Sequence, residues 1–336
     1  MKRYARLEHA LDAAERSRMC LWTRRSNGMQ SLRERVKDGT VLEVRPGMFV
    51  RPAYWEALTY AERILHILRT VCARHPNWVL SHISAAAAWG LNATYTMHDC
   101  VHVATDEHQR TRDRGCYRFH HLADVQGESR DGMLVTPLLQ TVFDCMRTLP
   151  FPEALAICDA ALREYGVALS DVQAFLAGKK RYKGINCART VASYADARSE
   201  NGGESIARAW LILWGYDLPE LQVEFRDPVT GRNRRADFVW PLDDGRMIIG
   251  ELDGREKYEN PIMLGNVDTV DAVLAEKERE SNLQLLGGMT GKVVVVRFSF
   301  RELIECPDVV RHKLDMVGVP KHAAPTWAGI FPRRAS

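Results

Sequence analysis

Residues 234–253 of this 336-residue chain read RRADFVWPLDDGRMIIGELD, two apolar runs joined by Asp243-Asp244-Gly245. The runs have the length and residue types of β-strands, and an Asp-Gly connection is a hairpin turn, so two adjacent antiparallel strands follow. The tightest constraint comes from the acids among them. Asp237, Glu251 and Asp253 stand in or beside stretches that read as buried, where an uncompensated charge is costly. Strand side chains two residues apart share a face, so Glu251 and Asp253 point the same way, and pairing through the turn can carry Asp237 next to Glu251. Carboxylates brought together raise one another's pKa unless a cation sits between them. Mg2+ or Mn2+ would supply that cation, because both take oxygen ligands and can activate water while stabilising charge on a phosphate.

The flanking sequence extends the pattern. GGESIARAWLILWGYDLPELQVEF gives an apolar helix from about Glu204 to Trp214, stopped by Gly215, and then a strand around Leu221 to Phe225. After the hairpin, AVLAEKERESNLQLLG has helical spacing, and KVVVVRFSF is a strand whose unbroken apolar run predicts burial on both faces. The element order is α-β-β-β-α-β.

The N-terminal end differs in charge. The net charge of +3 conceals 12 basic against 7 acidic residues in the first sixty, as expected of a segment that meets phosphate backbone, though the same charge also suits a solvated surface. Residues 4–20 repeat Leu7, Leu11, Ala14 and Met19 at helical spacing, and a second helix runs from about Met29 to Asp38 with Gly39 as its C-cap. TVLEVRPGMFVRP then reads as a hairpin turning at Pro46-Gly47. Two helices and a basic-tipped hairpin predict a winged helix-turn-helix. In that arrangement Gln30, Ser31, Arg33 and Arg35 would meet bases or phosphates and Arg45 on the wing would touch backbone. The other reading is a small helical module whose polar side chains meet only water.

Between these ends lie further helices and strands: TYAERILHILRTVCARH, SAAAAWGL, TPLLQTVFDCMRTL and FPEALAICDAALREYG as helices, CVHVAT and YRFHHL as strands. His82, His102, His120 and His121 fall here. His120 and His121 point to opposite sides of a strand, and no nearby Cys or carboxylate completes a metal-ligand spacing, so core or surface roles are expected. GKKRYKGINCARTVASYADARSENGG, residues 178–203, turns polar and basic and ends in a Gly pair, which marks a boundary. The expected fold class is α+β and multidomain. Its parts are a winged helix-turn-helix at 1–58, a middle α/β domain at 59–177, a linker at 178–203, the α-β-β-β-α-β domain at 204–305 and a C-terminal tail at 306–336.

No apolar run reaches the roughly 18 to 20 residues of a membrane span, and the basic start has no apolar stretch behind it, so the expected place is the cytoplasm. The eight cysteines form no CxxC pair, which suits reduced thiols.

Two family resemblances rest on these residues. Over residues 201–303, ADFVWP…IIGELDGREKY is similar to the DF-hydrophobic-P … E-hydrophobic-DG stretch of the PD-(D/E)xK restriction-endonuclease-like fold, in the branch related to very-short-patch-repair endonucleases. The resemblance implies Asp237 and Glu251 as metal ligands and Glu204 as the acid on the first helix, with Arg208 beside it one turn later. The family's lysine falls two residues after the glutamate, where this chain has Asp253. Lys257 or Lys277 would take its place, orienting the attacking water or offsetting transition-state charge. Otherwise the fold persists without activity, its acids met by Arg234, Arg235 or Arg208. Over residues 10–165, RPGMFVRP, VLSHISAAAAWGL, GMLVTPLLQTVFDCMRTLP and ALAICDAAL resemble AbiEi-type antitoxin regulators. That resemblance implies DNA as the partner of the N-terminal module, in the form of the protein's own promoter, and a cognate toxin as a second partner.

Overall fold

A computed structural model describes residues 2–23, 29–91, 97–107, 115–253, 285 and 292–332. The chain is an α+β multidomain protein of two compact units, Met1–Cys145 and Met146–Ser336. Among the described residues, no helix is long and apolar enough to cross a membrane.

The first unit begins with helix α1 (Lys2–Arg16), strand β1 (Leu21–Trp22), helix α2 (Met29–Lys37) and the hairpin β2 (Leu42–Arg45) and β3 (Met48–Val50). The strands pair antiparallel in the order β1-β3-β2, with Leu21 across from Phe49 and Leu42 across from Val50. Leu7 and Leu11 on α1 and Leu32 and Val36 on α2 are spaced four apart, so each helix turns one apolar face inward onto Val41 and Phe49. Gly39 and Gly47 have φ of +79° and +77°, which lets α2 stop and the hairpin turn where side-chain-bearing residues would be strained. Arg51 fastens α1 from the far side of the hairpin, 2.7 Å from Glu8, 2.7 Å from Asp12 and 2.8 Å from Glu15.

The same unit continues with α3 (Pro52–Ala57), α4 (Tyr60–Arg74), β4 (Val79–Leu80), α5 (His82–Ala88), β5 (Val101–Thr105), β6 (Tyr117–His121), β7 (Glu128–Arg130) and β8 (Met133–Val135). Helix α4 starts at a capping box between Thr59 and Glu62. The five strands form one sheet in the order β6-β5-β4-β8-β7. β5 runs parallel to β6 with Ala104 across from His120, so His102 and His120 lie on one face. Helix α6 (Leu138–Thr148) runs across the division between the units.

The second unit holds α7 (Phe151–Tyr165), α8 (Leu169–Gly178), α9 (Ile185–Tyr194) and α10 (Gly202–Leu213), then β9 (Glu220–Arg226), β10 (Asn233–Pro241), β11 (Met247–Asp253) and β12 (Val293–Ser299). It closes with α11 (Phe300–Glu305), α12 (Pro307–Val317) and a 3-10 turn (Thr326–Ile330). Residues 178–203, expected as a linker, instead carry α9, whose Cys187, Ala188, Val191 and Ala192 are buried, and α9 packs on α7 as α10 does. Lys179, Lys180, Arg181 and Lys183, which suggested a linker, precede α9, and Arg189 lies on its exposed face. The expected tail also folds. Val310 and Leu314 of α12 are fully buried one turn apart, and Tyr216 reaches Asp315 through a 2.6 Å hydrogen bond.

The four strands lie in the order β12-β11-β10-β9, antiparallel from β9 to β11, with β12 parallel to β11. β12 was expected to be buried on both faces, yet it is the edge of the described sheet and Val293, Val294 and Val295 are only half-buried. Gly250 on β11 lies under an aromatic, since a Cβ there would come within 2.9 Å of Trp240 Cζ3. The helix expected at 272–287 lies outside the described residues apart from Leu285.

Candidate functional site

The acids of the second unit are set by strand register. Phe238 pairs with Gly250, so the next step of the same ladder puts Asp237 across from Glu251. Asp237 Oδ2 accepts the Leu252 N–H at 2.9 Å, which fixes the carboxylate at the strand pair. Glu251 is 3% exposed and Asp237 and Asp253 are half-buried. On the other side of β11, Glu251 is the register partner of Arg297 and Asp253 of Ser299. On the other side of β10, the ladder through Ala236–Val223 and Phe238–Leu221 places Gln222 across from Asp237. Gln222, Asp237, Glu251 and Arg297 thus form one row across four strands.

Glu204 joins this row from α10. Asn201 caps the helix by accepting the Glu204 N–H at 3.0 Å. The buried Glu204 carboxylate accepts from Glu200 N at 2.7 Å, Asn201 Nδ2 at 2.6 Å and Gln222 Nε2 at 2.8 Å. Gln222 adopts φ +55°, a rare conformation for a residue with a side chain and one associated with functional sites. Neither Gln222 nor Arg297 was singled out from sequence. For Arg297 the available signal was a charged residue in an otherwise apolar run, whereas Gln222 is one of several polar residues in β9 and nothing local marked it.

Other expectations are redirected. Arg208, expected beside Glu204, turns instead into the α7 side of its helix, with Nη2 2.7 Å from Asp159 Oδ2 and Nη1 donating to Tyr194 O at 2.6 Å. Arg234 reaches Asp227 at 3.5 Å, and Arg235 pairs with Glu200. Lys257 and Lys277 lie outside the described residues. Two facing carboxylates suit Mg2+ or Mn2+, since Mg2+ is held through one or two carboxylates and keeps several waters. Among the described residues the acids do not close into a trio with all ligand atoms within 4.8 Å; only His82, His102 and His120 do so.

The expected DNA contacts are also partly internal. Gln30 and Ser31 lie on α2, their side chains outside the described residues, and Arg33 on the same helix is exposed. Arg35 Nη1 is 2.6 Å from Glu8 Oε1 and pins α2 to α1. Arg51, and then Arg35, hold the Glu8 carboxyl below its ordinary pKa. Arg45 Nη2 donates to the His98 carbonyl at 2.6 Å. Arg35 and Arg45 therefore hold the module together rather than standing out from it, because the docking of α1 and of residue 98 decides which way they face. Arg33 is the expected arginine contact that stands exposed.

In the five-stranded sheet three histidines converge. His102 Nδ1 and His120 Nε2 are 2.9 Å apart, and His82, the first residue of α5, stacks on His120 with ring centroids 3.6 Å apart. Sequence spacing hid this cluster because its members come from three elements, and its acid neighbour Asp144 lies on a fourth.

The fold and these side chains define an α+β protein of two units, one with a row of strand-borne carboxylates and one with a three-histidine cluster. The chain belongs to the family of "Uncharacterized protein MT2308" and "Uncharacterized protein Rv2248", from the CDC 1551 / Oshkosh and H37Rv strains of Mycobacterium tuberculosis. It is 32% identical to each over 215 residues, which cover 63% of this chain and 72% of the relative. No family model and no solved structure matches the chain.

Proposed function

We propose that the chain is a DNA-binding protein whose second unit is a metal-dependent endonuclease of the restriction-endonuclease-like fold. The observation that carries this reading is the facing of Asp237 and Glu251 on adjacent strands, at a level where β11 is otherwise apolar and buried. The order α10-β9-β10-β11 followed by a parallel β12 supports it, as does the tie from Glu204 to the strand row through Gln222. Asp237 and Glu251 would hold Mg2+ or Mn2+, which when bound lowers the pKa of a water and offsets charge on a phosphate. Asp237 is oriented for this by the Leu252 N–H, and Arg297 brings a cation to the register position beside Glu251. On this reading the first unit's two helices and hairpin act as a winged helix, with exposed Arg33 meeting duplex DNA, and their order along the chain supports it. On this reading the protein works in the cytoplasm.

A second reading has one specific observation in its favour: Asp253 stands where the restriction-endonuclease-like pattern has its lysine. Under it the chain is an antitoxin-like transcriptional regulator with an inactive nuclease fold, binding its own promoter and a cognate toxin.

Purified protein incubated with plasmid DNA in Mg2+ or Mn2+ separates the two. The first reading expects cleavage that Asp237→Ala and Glu251→Ala abolish while folding is retained; cleavage unchanged in both variants overturns it. Retarded migration of duplex from upstream of the gene, without cleavage in either metal, supports the regulator. Neither binding nor cleavage at low salt, where basic contacts are strongest, overturns both.

A further inference from the structure

A set of imidazoles in the first unit, His82 buried and His102 and His120 half-buried, has no part in the proposed chemistry. We propose that His82, His102 and His120 bind one transition-metal dication of the zinc, cobalt or nickel type. One ligand atom from each ring lies within 4.8 Å of the other two. Ligand bonds of about 2.0–2.1 Å in a tetrahedral site set nitrogens roughly 3.3 Å apart, so small ring movements close the site. Imidazole selects such metals over Mg2+, which sets this site apart from the carboxylates of the other unit.

The surroundings are those of a held ligand set. His102 and His120 share a face of the parallel pair β5–β6. Ser81 N–H donates to the His102 carbonyl at 3.0 Å and His102 N–H to Ser84 Oγ at 2.9 Å, lashing the start of α5 to β5. His82 is 1% exposed with φ +50°, a strained conformation for a residue with a side chain. Its Nδ1 is 3.2 Å from Ser81 Oγ, and its Nε2 is 4.0 Å from Asp144 Oδ1. Asp144 is fully buried and accepts from Gln140 at 2.9 Å. A carboxylate behind a histidine is the usual outer shell of a metal site. Three histidines leave a fourth position for water or another ligand.

The test is a Co2+ titration of chelator-stripped full-length protein, followed by displacement with Zn2+. One equivalent is expected to give the visible bands of four-coordinate Co2+. Those bands are expected unchanged in Asp237→Asn/Glu251→Gln, weakened about 100-fold or more in His120→Gln, and weakened about 10–100-fold in Asp144→Asn. Absence of the bands, or equal affinity in His120→Gln, overturns the proposal. Should His120→Gln fail to fold, X-ray absorption of the zinc-loaded wild type decides. Three imidazole nitrogens at about 2.0–2.1 Å support the site, whereas fewer imidazoles or a sulfur shell at about 2.3 Å overturn it.

Discussion

Arg208→Ala is expected to be among the most destabilising single changes in the second unit. The side chains of Arg208 and Asp159 are 5% and 0% exposed, and Nη2 lies 2.7 Å from Oδ2. Arg208 also donates to Tyr194 O at 2.6 Å, while Asp159 Oδ1 accepts the Asp196 N–H at 2.8 Å. The pair therefore joins α7, α9 and α10. Removing the guanidinium leaves a buried carboxylate with its N–H donor but without its cation, which costs about 3–5 kcal/mol. The Tyr194 carbonyl loses its partner as well, about 1 kcal/mol more. For a unit of this size that corresponds to a fall in Tm of roughly 10–20 °C. Replacing both charges, in Arg208→Met/Asp159→Leu, removes the stranded charge and is expected to recover most of the loss. Urea unfolding followed by fluorescence of Trp210 and Trp214 on and beside α10 measures both, with an unchanged m-value as the check on two-state behaviour. A loss below about 1 kcal/mol in Arg208→Ala, or a double variant as unstable as the sum of the singles, refutes the reasoning.

Arg33→Ala is expected to weaken duplex binding and to lower the salt slope by about 1 with folding unchanged, whereas Arg35→Ala is expected to lower stability first, because it unpins α2 from Glu8; binding isotherms at several salt concentrations beside thermal melts distinguish them. Gly250→Ala is expected to cost about 1–3 kcal/mol, since the new Cβ would meet the Trp240 ring at 2.9 Å, and calorimetry reads it. The Glu8 carboxyl has a folded pKa depressed by Arg51 and Arg35, so its stabilising contribution is present above its unfolded pKa, near 4.5, and is lost as pH falls through the folded value. Arg51→Met is therefore expected to be less stable than wild type near neutral pH, with the gap narrowing as the pH of the melt is lowered below that of an ordinary carboxylate.

The β10–β11 hairpin was legible in sequence because its information is local: two apolar runs of strand length, an Asp-Asp-Gly turn, and acids whose strand parity sets their faces. Helices α4, α7 and α10 were legible for the same reason, each with an apolar face and a cap or stop beside it. β4, β7 and β8 were not, since two or three residues carry no period and acquire strand character only from distant partners. Helix α9 was masked by the basic turn in front of it. The facing of Asp237 and Glu251 followed from register, while Gln222 reaches Glu204 only through a backbone conformation that no local pattern announces. The roles of Arg35 and Arg45 depend on how α1 and residue 98 dock, and the histidine cluster on the pairing of β5 with β6. Both are tertiary facts.

A metal-dependent nuclease of this kind requires a divalent ion at the paired carboxylates. A crystal of the protein soaked in Mn2+ and measured for anomalous scattering tests it most directly. A peak is expected between Asp237 and Glu251 in the wild type and is expected to be absent from Glu251→Gln. A wild-type map with no peak at that pair, in crystals where both carboxylates are ordered, would contradict it.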